Sequence, residues 1–422
     1  MATRRIALVI VLLAAVSAAG QAPAPSWPQW GGPNRNFAVA APAAGRAWPA
    51  GGPKPLWSRA LGEGHSAIAE DRGRLFTSYR PGGLLTLVRR AQEEAVAAFE
   101  AASGKTIWEY RYSAPTGGLN FEAGAGPHAT PLVAGGLVFT TSSLNQLFAL
   151  DRASGRLVWT RDLIEEYGAR RADRGYTCSP LAYGDTVIVT AGGRPGQAVM
   201  AFRQKTGALV WKGGDFDPSP ASPFVIDVGG QPHLVVLGGD RVAGLDPSSG
   251  RLLWSHPHAT QFGLNISPPV WTGGELFVSS AYNGGSRLLR LAREGDRTVV
   301  AEAWFTSRMR VHFGSVLRIG DHYYGSSGDF GPAFLVALEA GTGRVAWQDR
   351  TFARAQLVGT GGDTALLLDE DGTLAAVRLS PKGVTTLGRA AVMDATSWTP
   401  PTVVGSRVYL RDRRNMVALS LD

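Results

Sequence analysis

Five segments of this chain align on one another without a gap, and each closes on a tryptophan. They occupy residues 98–108, 149–159, 201–211, 244–254 and 337–347. Each opens on a small residue (Ala98, Ala149, Ala201, Gly244 or Ala337) and passes through an apolar and a polar position to a Ser/Thr-Gly pair ahead of the tryptophan. Apolar alternation on both sides of the pair reads as two strands. The pair itself reads as a hairpin turn, where glycine takes positive φ at little cost. The small residue is expected to leave room for a bulky ring from a neighbouring unit, and the tryptophan to fill the space between stacked units. Repeats of this kind bury their sheets only by stacking on one another.

A second pattern precedes these hairpins: a proline, a short apolar strand, a Gly turn and another apolar strand. Residues 131–139, 180–188, 269–277 and 401–409 are copies. Two strands from each pattern make a four-stranded unit with a period of roughly 42 to 63 residues, stretched once by an insertion near residues 80–92. Eight units follow, starting near residues 64, 126, 176, 219, 265, 312, 355 and 397. The fifth is degenerate in its second half but keeps Trp304, and the seventh, through Ala376 to Gly388, keeps no tryptophan. The eighth ends after its third strand, and residues 55–59, around Trp57, read as the end of a repeat without its start. The expected fold is all-β: an eight-bladed β-propeller of four-stranded antiparallel blades, closed by the N-terminal strand pairing with the last blade. Such closure leaves no exposed edge inside the ring. Trp57, Trp108, Trp159, Trp211, Trp254, Trp304 and Trp347 are the expected interblade wedges.

Composition agrees. Of 422 residues, 44% are hydrophobic and 18% charged, enough to bury a large core. The 54 glycines suit a chain with many tight turns. Arg4 and Arg5 followed by an apolar run over residues 6–16 and small residues at 17–20 read as a signal peptide over residues 1–20. The alternative is an uncleaved anchor, which the shortness of the run opposes. Residues 21–52 form a lead-in, residues 53–422 the propeller, and the mature chain is expected to be exported, periplasmic or extracellular, with no transmembrane segment. The only cysteine, Cys178, excludes an intramolecular disulfide. A formal net charge of +8 is modest for this length and does not indicate nucleic acid. No nucleophile elbow, zinc-protease signature or nucleotide fingerprint occurs. The Gly359–Gly362 run lies in a strand turn with no helix behind it, so it is no phosphate cradle.

The tryptophan-closed pattern is similar to the tryptophan-docking motif of the pyrroloquinoline-quinone-like propeller family, over residues 53–422. The run from Trp27 to Asn34 looks like the lead-in of a secreted bacterial branch of it. Members that oxidise alcohols or sugars hold the quinone over the axis with calcium and a catalytic carboxylate, and often carry an adjacent cysteine pair. One cysteine rules out that pair here. The scaffold for outer-membrane barrel assembly shares the repeat class and is lipid-anchored, whereas no cysteine follows the apolar run of this chain.

The inner strands of a propeller converge at one mouth. Aligning Phe76 with Phe139 sets His65 beside His128, and the same register gives Thr177, Pro220, Ile266, Phe313, Ala355 and Trp398, with Cys178, Asn265 and His312 adjoining. Asn120, Glu122, Arg170, Arg171 and Arg174 arrive on loops. His65, His128, Thr177, Cys178, Asn265, His312, Phe313 and Trp398 are therefore the candidate binding residues, and no catalytic residue or metal ligand is assigned. The histidines can equally cap strand ends. Cys178 reads as a buried inert thiol or, with the arginines close, an activated thiolate. His256 and His258 follow Trp254 and read as solvent-facing. No acidic residue holds a mouth position in this register; Glu122, Asp173 and Asp329 are nearest. Two functions follow. The first is a secreted, non-catalytic, monomeric scaffold that binds a protein or polymer and needs no cofactor. The second is a small alcohol or sugar dehydrogenase using the quinone with calcium. A polysaccharide-acting propeller would need paired carboxylates around the axis.

Overall fold

The computed structural model describes residues 25–422 apart from residues 50, 83–91, 116, 121, 123, 125 and 330. The signal-peptide assignment and most of the insertion near residues 80–92 lie outside the described residues. The sheets number eight, each of four antiparallel strands in sequential order. Blade 1 runs from Ala69–Asp71 to Thr106–Ser113, blade 2 from Leu132–Ala134 to Leu157–Asp162, and blade 3 from Leu181–Tyr183 to Leu209–Gly213. Blades 4, 5, 6 and 7 open with Phe224–Val228, Val270–Thr272, Val311–Ile319 and Ala355–Gly361. Blade 8 takes three strands from Thr402–Val404 to Asn415–Ser420 and its fourth, Lys54–Ala60, from the other end of the propeller sequence. Lys54 pairs with Ser420 and Ala60 with Asn415, so the ring closes between strands far apart in sequence.

Apart from Trp304, which faces Leu288, each repeat tryptophan lies opposite its own blade's small residue: Ala98 faces Trp108, Ala149 faces Trp159 and Ala418 faces Trp57. A Cβ on Gly244 would come 2.2 Å from Trp254. The small residue thus makes room for the ring of its own blade, not of a neighbour. The neighbour contributes the hairpin glycine: Gly104 lies against Trp57, Gly155 against Trp108, Gly207 against Trp159 and Gly250 against Trp211. The indole N–H then donates to a carbonyl of the next blade, as Trp108 does to Arg152 (3.1 Å), Trp159 to Gln204 (2.8 Å) and Trp304 to Ala340 (2.7 Å). Trp254 faces the degenerate fifth blade and donates instead to Nδ1 of His233 in its own blade, at 2.9 Å.

In blade 7 the register-equivalent of the tryptophan is Gly388, opposite Ala376. The indole of Trp48 fills that place, 2.9 Å from where a Cβ on Gly388 would stand. Trp48 belongs to the lead-in, which spans the face opposite the mouth. Trp27 exchanges backbone hydrogen bonds with Glu70 of blade 1, and Pro28 accepts one from Val133 of blade 2. Arg35 donates to the carbonyls of Pro180 (2.8 Å) and Ser179 (3.2 Å) ahead of blade 3. Val39 and Ala41 bond to Gly359 and Thr360 of blade 7. Trp27 and Phe37 are almost fully buried, so the lead-in is part of the core and covers that end of the channel.

Around the channel, hydroxyls stitch neighbouring inner strands together. Thr130 accepts from the Ala67 amide (3.0 Å), Ser179 from Thr130 (2.9 Å) and Ser222 from Ser179 (2.9 Å). Ser267 donates to Gly314 (2.8 Å) and Thr402 to Ile68 (2.6 Å). These short side chains satisfy backbone groups that strand pairing cannot reach.

Candidate functional site

The mouth carries the starts of the inner strands and the loops between second and third strands. His65 and His128 stack with ring centroids 5.5 Å apart and planes 7° apart. Trp398 stacks on the other side of the sequence, 5.0 Å from His65. Phe313 meets Trp398 at 5.0 Å, His312 meets Phe313 at 4.9 Å, and Tyr282 meets His312 at 4.9 Å, edge to face. Phe262 extends the arc at 5.2 Å from Tyr282. The arc runs from blade 2 through blades 1, 8 and 6 to the loops of blades 4 and 5. It bridges blade 7 because Ala355, the mouth residue there, is too small to intervene.

Arginines and two carboxylates frame these rings. Arg413 lies 5.1 Å over the Trp398 ring, and its Nε donates to Nε2 of His65 at 3.2 Å. Arg354 lies 5.7 Å from the Phe313 ring. Glu370 accepts from the Trp398 indole N–H (2.9 Å) and from Arg354 (3.2 Å), fixing both. Asp329 pairs with Arg310 at 3.4 Å. Contacts of guanidinium with ring faces carry modest energy at half-exposed sites but hold the rings in place.

The register therefore brings together His65, His128, His312, Phe313 and Trp398. Thr177 donates to the carbonyl of its neighbour Pro220 at 2.9 Å. Asn265 is fully buried and braces two loops through Gly238 (2.6 Å) and His258 (3.2 Å), so it does not face a ligand. His258 is buried, not solvent-facing: its Nε2 meets Ser280 at 2.9 Å and its Nδ1 accepts from Arg287 at 2.9 Å. Burial pushes the Cys178 thiol above its ordinary range, with Thr190 and then Arg35 opposing weakly, which favours the inert thiol over a thiolate. Arg170, Arg171 and Arg174 are on the mouth, the last 3.4 Å from Glu122. Asn120 bonds to the carbonyl of Asp173.

Tyr282, Arg354, Glu370 and Arg413 were not anticipated. Three of them sit on loops between second and third strands, the other set of loops reaching this face. Their signal was available, since each falls just past the second strand of the repeat pattern. The hydroxyl belt also left a trace, in the Ser/Thr-Pro pairs at Thr130, Ser179, Ser222 and Ser267.

His128 and His312 are uncharged at neutral pH. Burial, with Arg413, Arg411 and Arg80 adding, brings His128 down to about 4; burial and Arg354 bring His312 to about 4 against Asp329. In the unfolded chain both titrate near 6.5. The folded state thus binds fewer protons between these values, so its stability is full above pH 6.5 and falls as pH drops towards 4. The loss approaches about 1.4 kcal/mol per pH unit for each fully buried group. Urea midpoints of His312→Gln measured across this range should fall less steeply than those of the parent.

Among the described residues, no three of His, Cys, Asp and Glu converge in a way that could hold a metal ion. No helix of the described residues is long and apolar enough to cross a membrane.

Known proteins place this geometry. The family profile described as outer membrane protein assembly factor BamB matches residues 92–349, more than half of the chain. A 1-butanol dehydrogenase (quinone) of Thauera butanivorans is 34% identical over 152 residues, 31% of this chain and 23% of its own length. The outer membrane protein assembly factor BamB of Alkalilimnicola ehrlichii is 27% identical over 192 residues, 45% of each chain. The matched stretch therefore spans less than half the length of either relative. The crystal structure of BamB from Moraxella catarrhalis shares the fold, with a TM-score of 0.60 at 18% identity, over 87% of this chain and 99% of that one. With eight blades closed between the two ends of the propeller sequence and a profile match of that extent, the chain belongs to the pyrroloquinoline-quinone-like β-propeller family, in the branch described by BamB.

Proposed function

We propose that the protein is an exported binding propeller that presents its mouth face to a protein or polymer partner and performs no quinone chemistry. One observation carries this reading: the aromatic arc is packed on itself. A planar quinone needs an open ring face and oxygen donors for a hard cation. His65 and Arg413 already lie against the Trp398 ring, Glu370 is bonded to the Trp398 indole and to Arg354, and Asp329 is paired with Arg310. The residues present thus do not fit the quinone with calcium. What remains is a rigid face of rings and guanidinium groups, the residue types that anchor protein interfaces. The match to an assembly factor supports the same reading.

The test has two arms. A photo-crosslinking residue at position 414, exposed on the mouth, should give discrete adducts in the exporting cell, and one at position 209 on the outer rim should not. In parallel, the purified protein should show no dye-linked alcohol oxidation and no absorbance change when pyrroloquinoline quinone and calcium are added. Oxidation in the second arm, or adducts at the rim alone, overturns the reading.

A further inference from the structure

Over blades 3 to 5 the arc gives way to a cavity of about 870 Å³. Cavities of this size hold small ligands. Phe216, Phe262 and Leu264 form much of its apolar lining, and Phe262 is 53% exposed, unusual for a phenyl ring. Four arginines stand around it: Arg170, Arg171, Arg174 and Arg241. Three of these are matched by carboxylates, Arg170 by Asp217 (2.9 Å), Arg174 by Glu122 (3.4 Å) and Arg241 by Asp240 (2.9 Å). Arg171 donates to the carbonyl of Gly117, and among the described residues no carboxylate lies within ion-pair distance of it. In the same lining, Thr260 Oγ1 is buried without a hydrogen-bond partner among the described residues.

We propose that this cavity binds a small anionic amphiphile. Arg171 takes a single carboxylate or phosphate head group, the Thr260 hydroxyl donates to the same ligand, and a short apolar tail lies against Phe216, Phe262 and Leu264. An unopposed guanidinium favours an oxyanion through charge-assisted hydrogen bonds, and a desolvated hydroxyl gains most from a partner that supplies the missing acceptor. A ring exposed at the rim recovers its hydration cost when a tail covers it. The three matched arginines add little net field, so the cavity selects one negative charge and not a polyanion. The inference rests on the lining of the cavity and not on the partner-binding reading.

Calorimetric titration of the whole chain tests it, using octanoate and octyl phosphate against octanol and octyltrimethylammonium. One saturable site for either anion is expected, with octanol about tenfold weaker and the cation weaker still. The tighter of the two anions names the head group. Arg171→Gln should weaken octanoate about tenfold and erase its preference over octanol, while the thermal midpoint stays unchanged. Phe262→Ala should weaken octanoate and octanol alike. Equal binding of octanol and octanoate to the parent, or no change in Arg171→Gln, overturns the proposal. Loss of the crosslinks described above leaves it standing, so the two readings fail separately.

Discussion

Replacing Trp48 by alanine is expected to cost the protein about 3 kcal/mol, and adding Gly388→Trp to that variant should return about half of it. The ring of Trp48 occupies the place that a repeat tryptophan would fill in blade 7, and alanine leaves that place empty. Gly388→Trp alone should also destabilise, because the new side chain would enter space held by the Trp48 indole, 2.9 Å from the Cβ position. Two harmful single changes whose combination is milder than either predicts indicate competition for one site. Recovery stays partial because Trp48 also ties the lead-in to blade 7, where the 3₁₀ turn Pro42–Gly45 packs beside it. Urea unfolding of the four proteins in one buffer measures the coupling. Additive losses would show that Trp48 and position 388 act independently, and a Trp48→Ala variant as stable as the parent would remove the lead-in from the core.

How the ring is assembled was legible in the sequence because a periodic constraint leaves a periodic trace. Ser103-Gly104 and Trp108 recur at fixed spacing, since every blade must turn at the same radius and wedge against the next. The closing strand was legible by subtraction: the last repeat lacked a fourth strand, and Trp57 stood without the start of one. The placing of His65 opposite His128 at the mouth followed from register alone, whereas the contact of Phe313 with Trp398 across blade 7 did not. Trp48 was not legible as a wedge because it has no repeat around it; the glycine at 388 records only that a ring is missing, not where its replacement comes from. His258 and Asn265 were misplaced for a related reason. Both lie in loops, where depth depends on how loops of adjacent blades pack and not on strand alternation. Glu370 and Arg413 were passed over because attention to the inner strands left out the loops of the second and third strands, which end at the same face. Their position just past the second strand was legible, but their role is a matter of charge meeting rings across blade boundaries, which residue spacing in one sequence does not record.

Arg411→Lys should lower stability nearly as far as Arg411→Leu, both by about 4 kcal/mol, although the first keeps the positive charge. Arg411 is fully buried on the second-last strand of the chain, Arg407–Arg411 of blade 8. Its Nη1 donates to Ser66 O (2.9 Å), Ser78 O (2.8 Å) and Thr77 Oγ1 (3.0 Å), and its Nη2 to Gly64 O (3.0 Å) and Gly62 O (3.3 Å). One guanidinium thus satisfies backbone oxygens along the approach to blade 1 and into its second strand, across the seam where the ring closes. Burial brings the guanidinium down to about 10, with Asp412 opposing, and it remains charged at neutral pH. An ammonium has three donors on one point and cannot span this set, so lysine strands acceptors in a fully buried site, while leucine strands all of them. Each unsatisfied buried group costs about 1–3 kcal/mol, partly relieved by local relaxation. For a chain of this length 4 kcal/mol corresponds to a midpoint lower by about 5 °C. Because the clasp joins the two blades that meet at closure, amide exchange in blades 1 and 8 should accelerate together, ahead of blade 4. Exchange that rises evenly around the ring would mean that Arg411 stabilises the fold without holding the seam. A lysine variant as stable as the parent would show that charge, and not the spread of donors, is what the seam requires.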